Sequence, residues 1–226
     1  GADVDRSAMP EPASFPSVDF PEFESARLDN GMEVVVISRS AIPVVDFTLM
    51  LDAGYAADHS GTMGTSSLAM AVLDEGTRKR SALEISEQLA LLGASIGSGS
   101  NLDNSTVSLN ALKENLDDSM EIYADVILNP EFPGAEFERL RKLQLAAIQR
   151  EKVTPMSMAL RVLPGLLYGP DHAYSLPFSG SGTEASVMSL TRDDLVRYHD
   201  TWFKPNNATM VVVGDTTLAE VMPKLE

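Results

Sequence analysis

The sequence predicts an α+β domain in which helices pack on a mainly antiparallel sheet, and three observations carry that expectation. Strand-like runs come in pairs, at 34–37 with 45–51 and again at Ser95–Ser100 with 105–111. Between and after the pairs, the apolar period changes to that of amphipathic helices. The resulting order, ββ-α-α-ββ-α-α-α-α-β, has runs of strands and runs of helices rather than strict βαβ alternation.

Each element has its own local reason. Residues 1–20 carry three prolines among small and acidic residues without a period, and read as a linker or lead-in arm ahead of a domain at 21–226. Structure is expected to begin near Phe23 and Glu24. Asn30-Gly31 is a turn signal leading into the β-branched run 34–37, and Val45, Phe47, Leu49 and Leu51 alternate on one face of the next strand until Gly54. Residues 66–73 form a compact apolar helix closed by Asp74-Glu75-Gly76-Thr77. Ser81 and Glu84 form a capping box for a helix that buries Ile85, Leu89 and Leu92 and stops at Gly93. Gly97 and Gly99, inside a strand pattern, suggest a bulge or tight bend rather than a phosphate cradle.

Further along, a helix is expected at 114–128, ending at Asn129-Pro130, and another at 135–153 burying Phe137, Leu140, Leu143, Ala147 and Ile148. A shorter helix at 156–168 should be kinked or interrupted at Pro164. Residues 169–190 read as a long Gly/Ser/Pro loop. Thr191 and Asp194 form a capping box with Asp in place of Glu, leading a helix through Leu195, Tyr198 and Trp202. A strand at 210–213 and a helix at 217–226 close the chain.

Composition narrows the function. The chain has 226 residues, 17 Lys+Arg against 33 Asp+Glu, a net charge of −16, three His and no Cys. A chain of this length needs no disulfide or metal staple for its core. Lack of cysteine excludes Cys-based zinc sites, iron–sulfur clusters and thiol nucleophiles. The acidic balance argues against nucleic acid as a partner. No run approaches the roughly 20 apolar residues of a membrane span.

The common catalytic constellations are missing. There is no G-x-S-x-G elbow, P-loop or dinucleotide fingerprint. His59, His172 and His199 are not spaced as ligand pairs: His59 reads as exposed, His172 as a turn residue bonded to local backbone, and His199 as a packed helix residue. Asp117-Asp118 and Asp193-Asp194 fall in helix first turns, where the macrodipole favours negative charge. Chemistry alone therefore offers no active site.

The order of motifs nevertheless resembles the M16 (insulinase/pitrilysin-like) metallopeptidase family. The match runs through Leu28-Asp-Asn-Gly31, Asp52-Ala-Gly54 and Gly64-Thr65 to Gly76-Thr77. It continues through Asn129-Pro130, Phe137-Glu138, Tyr168-Gly169-Pro170 with His172, Leu190-Thr191, Pro205-Asn206 and Val213-Gly214-Asp215. It covers about residues 24–226, one homology domain. In active members the helix before Gly-Thr carries the inverted zinc motif H-x-x-E-H, two histidine ligands flanking a glutamate general base. The resemblance implies a third ligand, a glutamate, on a later helix. Here the histidine positions read Ser67 and Ala71, the base position Met70, and the downstream glutamate position Ala147. None of these residues is a useful zinc ligand or proton carrier, so the catalytic and metal sets are expected to be empty.

The resemblance thus implies an inactive M16 zinc-peptidase-like domain. It would help form the substrate-enclosing chamber of a metallopeptidase, with zinc expected only in a partner domain or subunit. The expected partners are another M16 domain, in the same chain or as a heterodimer, and a peptide or unfolded protein substrate. The alternatives are a structural or assembly subunit with no proteolytic role, and a weak peptidase using unrelated residues. The lead-in, the lack of an initiator methionine and the Lys224-Leu225-Glu226 end are those expected of a piece of a longer chain. By its resemblance to bacterial tandem members, the domain would be the second half of a periplasmic or exported parent, although a cytoplasmic one is also compatible.

Overall fold

A computed structural model of the chain describes residues 20–226 together with Ser7 and Ser17, so the expected lead-in arm lies almost wholly outside the described residues. The strands are β1 (Glu24–Arg27), β2 (Glu33–Ser38), β3 (Val44–Leu51), β4 (Ser95–Ser100), β5 (Ser105–Leu112) and β6 (Ala208–Gly214). They form one sheet in the order β1-β2-β6-β3-β5-β4. Among the described residues only the β2–β6 pair is parallel; the other four pairings are antiparallel. The sheet class expected from the strand pairs is the one found, with β1 added at one edge. β1 returns through the Asn30-Gly31 turn, where Gly31 sits at φ 92° and the Asn30 side chain accepts from the Met32 amide at 3.1 Å.

One face of the sheet is dry. Val34, Val36, Val45, Phe47, Leu49, Leu51, Val107, Leu109, Met210 and Val212 are all buried on it, two residues apart along each strand. The helices are α1 (Thr65–Val72), α2 (Ala82–Leu92), α3 (Leu116–Leu128), α4 (Gly134–Glu151), α5 (Pro155–Tyr168), α6 (Glu184–Ser189), α7 (Arg192–Trp202) and α8 (Leu218–Leu225). α3 rests on β5, α1 and α2 rest on β4, and α4 and α7 pack on α1. Tyr123 on α3 ties two strands together, donating to the Val107 carbonyl at 2.6 Å and accepting from the Leu49 amide at 3.1 Å.

The capping boxes read at Ser81–Glu84 and Thr191–Asp194 are both formed. Three local expectations need correction. Leu143 is 56% exposed rather than buried, because the α4 stripe that enters the core runs through Phe137 and Ile148. Gly97 and Gly99 pair regularly with Ser108 and Thr106, so β4 carries no bulge there. The loop expected at 169–190 contains α6, started by a Thr183–Ser186 capping box. Of the two outcomes expected at Pro164, interruption does not occur: α5 runs through it. A proline there cannot donate to the Leu160 carbonyl; the Phe178 amide does so instead at 3.1 Å.

Candidate functional site

The region singled out by the sequence is the α1–α4 pair beside the edge strand β4. α1 begins at Gly64, which lies at φ 91° and offers no side-chain cap. Its first amides are held from a distance by buried Asp58, whose carboxylate accepts from Gly64 N at 2.9 Å, Ser66 N at 3.1 Å and Ser66 Oγ at 2.5 Å. An anion at a helix start is electrostatically favoured. Burial nevertheless dominates and pushes the Asp58 carboxyl up to about 6, against the hydrogen bonds from Ser66, Gly64 and Thr65 that pull it down.

Ser67 follows, half-buried, and its hydroxyl donates to the Gly180 carbonyl at 2.8 Å. The loop bearing Gly180 is strapped across the start of α1 by several elements. Tyr55 Oη donates to the Phe178 carbonyl at 2.7 Å, and Gln144 Nε2 on α4 donates to Ser181 O at 2.9 Å and Gly64 O at 3.2 Å. Arg161 on α5 reaches Ser181 Oγ at 2.8 Å and Gly182 O at 2.6 Å while ion-pairing with Glu151. Gly180 sits at φ 68°, and a Cβ there would lie 2.5 Å from the Tyr55 ring and 2.9 Å from Ser67 Oγ. Only glycine fits so close an approach.

The other three positions differ in environment. Met70 is 1% exposed in the core, and its carbonyl accepts from Ser98 Oγ on β4 at 2.6 Å. Ala71, the next residue, is exposed. Ala147 is half-buried on α4, one residue before the fully buried Ile148. The structure thus brings the elements of the four positions together by packing α1 on α4. What their side chains offer is one hydroxyl already donating to a carbonyl, a core thioether and two methyl groups. That donor set does not fit zinc.

The histidines lie elsewhere. His59 is exposed. His172 Nδ1 accepts from the Tyr174 amide at 3.0 Å, and His199 Nε2 lies 2.7 Å from the Ile127 carbonyl with its ring stacked on Phe203. Sequence reasoning missed Asp58. Its partners are six and eight residues away, beyond the two- or three-residue reach by which a cap is recognised. The same holds for Asp125 on α3. It accepts from Thr77 Oγ1 at 2.6 Å and pairs with Arg80 at 2.7 Å, which pins the Gly76-Thr77 turn.

A largely antiparallel sheet with α1 beside its edge strand and α4 packed on α1 defines an α+β domain with its helices layered on a single sheet. Residues 33–163 match the family described as insulinase (peptidase family M16), and the chain belongs to that family. Residues 189–226 match the family's peptidase M16 inactive domain. The chain is 26% identical over 222 residues to the mitochondrial-processing peptidase subunit beta of Rattus norvegicus, covering 98% of this chain and 44% of that one. In fold it resembles a peptidase M16 inactive domain from Pseudomonas fluorescens, with TM-score 0.85, 24% identity, and coverage of 90% of this chain and 49% of the other. It also resembles the periplasmic protease PqqL of Escherichia coli, with TM-score 0.76, 18% identity, and coverage of 94% and 24%. The chain therefore spans less than half the length of each of these relatives.

Proposed function

We propose that this is a non-catalytic M16 domain that shapes the substrate chamber of a metallopeptidase whose zinc site lies in another domain or subunit. The observation that carries the reading is the set of residues at the family's zinc and base positions, Ser67, Met70, Ala71 and Ala147. Two of them have also taken structural work: Ser67 holds the loop at Gly180, and Met70 fills the core. A buried charged site would have to be desolvated and paired. Replacing it with a thioether, methyl groups and a satisfied hydroxyl removes that cost.

On this reading the domain contributes wall and edge rather than chemistry. Among the described residues β4 is an edge strand, and its outer side can pair with an extended peptide by strand addition. Zinc belongs to the partner. The parent is a bacterial tandem protein exported to the periplasm.

The test is reconstitution. The chain is purified alone and together with an M16 domain bearing H-x-x-E-H from its own source, and cleavage of unstructured peptides is followed with and without chelator. The expected result is no turnover by the chain alone and chelator-sensitive turnover in the mixture above that of the partner alone. Zinc-dependent turnover by the chain alone would falsify the reading. No effect on the partner's turnover would favour the assembly-subunit alternative.

A further inference from the structure

We propose that α5 is the face through which this domain docks a second M16-type domain, an inference that rests on the reading above and assigns it a surface. Nine of the eighteen large apolar residues exposed among the described residues lie between 153 and 168. Met156, Leu160, Leu163 and Leu167 form one row of the helix, and Met158, Val162 and Leu166 form the row beside it. Leu166 is 77% exposed and Met156 71%. A helix apolar around most of its circumference belongs inside a larger structure.

The setting of the helix is fixed from its narrow polar side. Arg161, the one charged residue of α5, turns inward to Glu151, Ser181 and Gly182, and the Leu160 carbonyl takes the Phe178 amide. These bonds lock the rotation of α5 with both apolar rows outward. The exposed area of the two rows and Tyr168 is on the order of 800 Å², about what one partner contributes to a standard interface.

Chemistry selects the occupant. Fourteen residues are too few for a membrane span. A helix lying on a lipid surface needs a Lys/Arg-rich polar face, which α5 lacks, and the chain's charge of −16 opposes anionic headgroups. The same charge on each molecule disfavours a second copy. The rat subunit and the Pseudomonas structure each carry at least as much chain again beyond the matched part, enough for a further domain. A domain of that family, in the same polypeptide or a co-assembled subunit, is the occupant that length and polarity favour.

Site-directed photo-crosslinking in the native host tests the assignment. A benzophenone amino acid replaces Leu166 on α5 or, as a control, Leu91 on α2, which is 86% exposed. The expected result is an adduct from position 166, mapped by peptide mass spectrometry to an M16-type domain, and none to that domain from position 91. Adducts from 166 only to a second copy, to substrate peptide or to an unrelated protein overturn the docking face. So does the absence of any adduct while an M16 partner co-purifies, although the chamber reading then survives. If no M16 domain accompanies the chain, covalently or otherwise, both fail together.

Discussion

α4 and α5 are consecutive helices separated only by residues 152–154, yet they treat water in opposite ways. α4 sends Phe137 and Ile148 into the core and carries charge on its outer side, with Arg139 paired to Glu136 and Glu75, and Arg141 to Glu138. α5 sends its single charged residue inward and its leucines outward. The first is a finished protein surface. The second is finished only when something covers it. The contrast separates what this domain completes by itself, the closed α1–α4 region, from what it leaves for an assembly.

The largest expected effect lies on the closed side. Met70→Glu puts a carboxylate at a position 1% exposed and should cost more than about 4 kcal/mol or abolish cooperative unfolding. Ala71→Glu, one residue away but exposed, should shift stability by about 0.5 kcal/mol or less. Urea denaturation compares the two. Equal costs would mean that α1 is not set with Met70 inward.

The next effect is a pH dependence. The Asp58 carboxyl titrates near 6 in the folded chain against an ordinary value of 3.8. Between these values the folded state binds more protons than the unfolded one, so this group's contribution makes stability fall as pH rises from about 4 to about 6 and level off above. The size is on the order of 3 kcal/mol. Comparing urea midpoints of the wild type and Asp58→Asn across that range isolates it. The variant should be flatter, and parallel curves would remove Asp58 as the cause.

Arg161→Met probes the junction of the two regions. It strips Glu151 of its cation and leaves that carboxylate only the Ser179 and Ser181 hydroxyls, which should cost about 2 kcal/mol. It should also speed limited proteolysis between residues 152 and 182. The smallest effect on the stability of the chain itself belongs to the uncovered side. Leu166→Gln with Leu167→Gln should change the stability of the isolated chain by about 0.5 kcal/mol or less, because both residues are mostly exposed. The same pair should weaken association with the partner domain by about a hundredfold, as removal of central apolar anchors does.

The sheet was legible because β3 and β5 alternate and β2 and β6 are β-branched runs. Val45, Phe47, Leu49 and Leu51 show the period of two that the buried face requires, and the Ser81 and Thr191 boxes mark helix starts by local chemistry. Leu143 was misplaced because α4 carries more apolar residues than its core stripe uses, and periodicity alone does not choose among them. α6 was hidden in a Gly/Ser-rich stretch, where its Thr183 cap uses a serine partner rather than glutamate. The carboxylate that starts α1 and the loop held on Ser67 depend on contacts across six to more than a hundred residues, which no local pattern records. The exposed rows of α5 were equally opaque. An apolar helix reads the same whether its own domain or another buries it.

The most direct test of the non-catalytic assignment is metal stoichiometry combined with turnover. The purified chain is equilibrated with excess zinc, desalted, and analysed for bound metal and for cleavage of an unstructured peptide. The account predicts well under one zinc per chain and no chelator-sensitive cleavage. One zinc per chain with cleavage that a chelator abolishes and added zinc restores would contradict it.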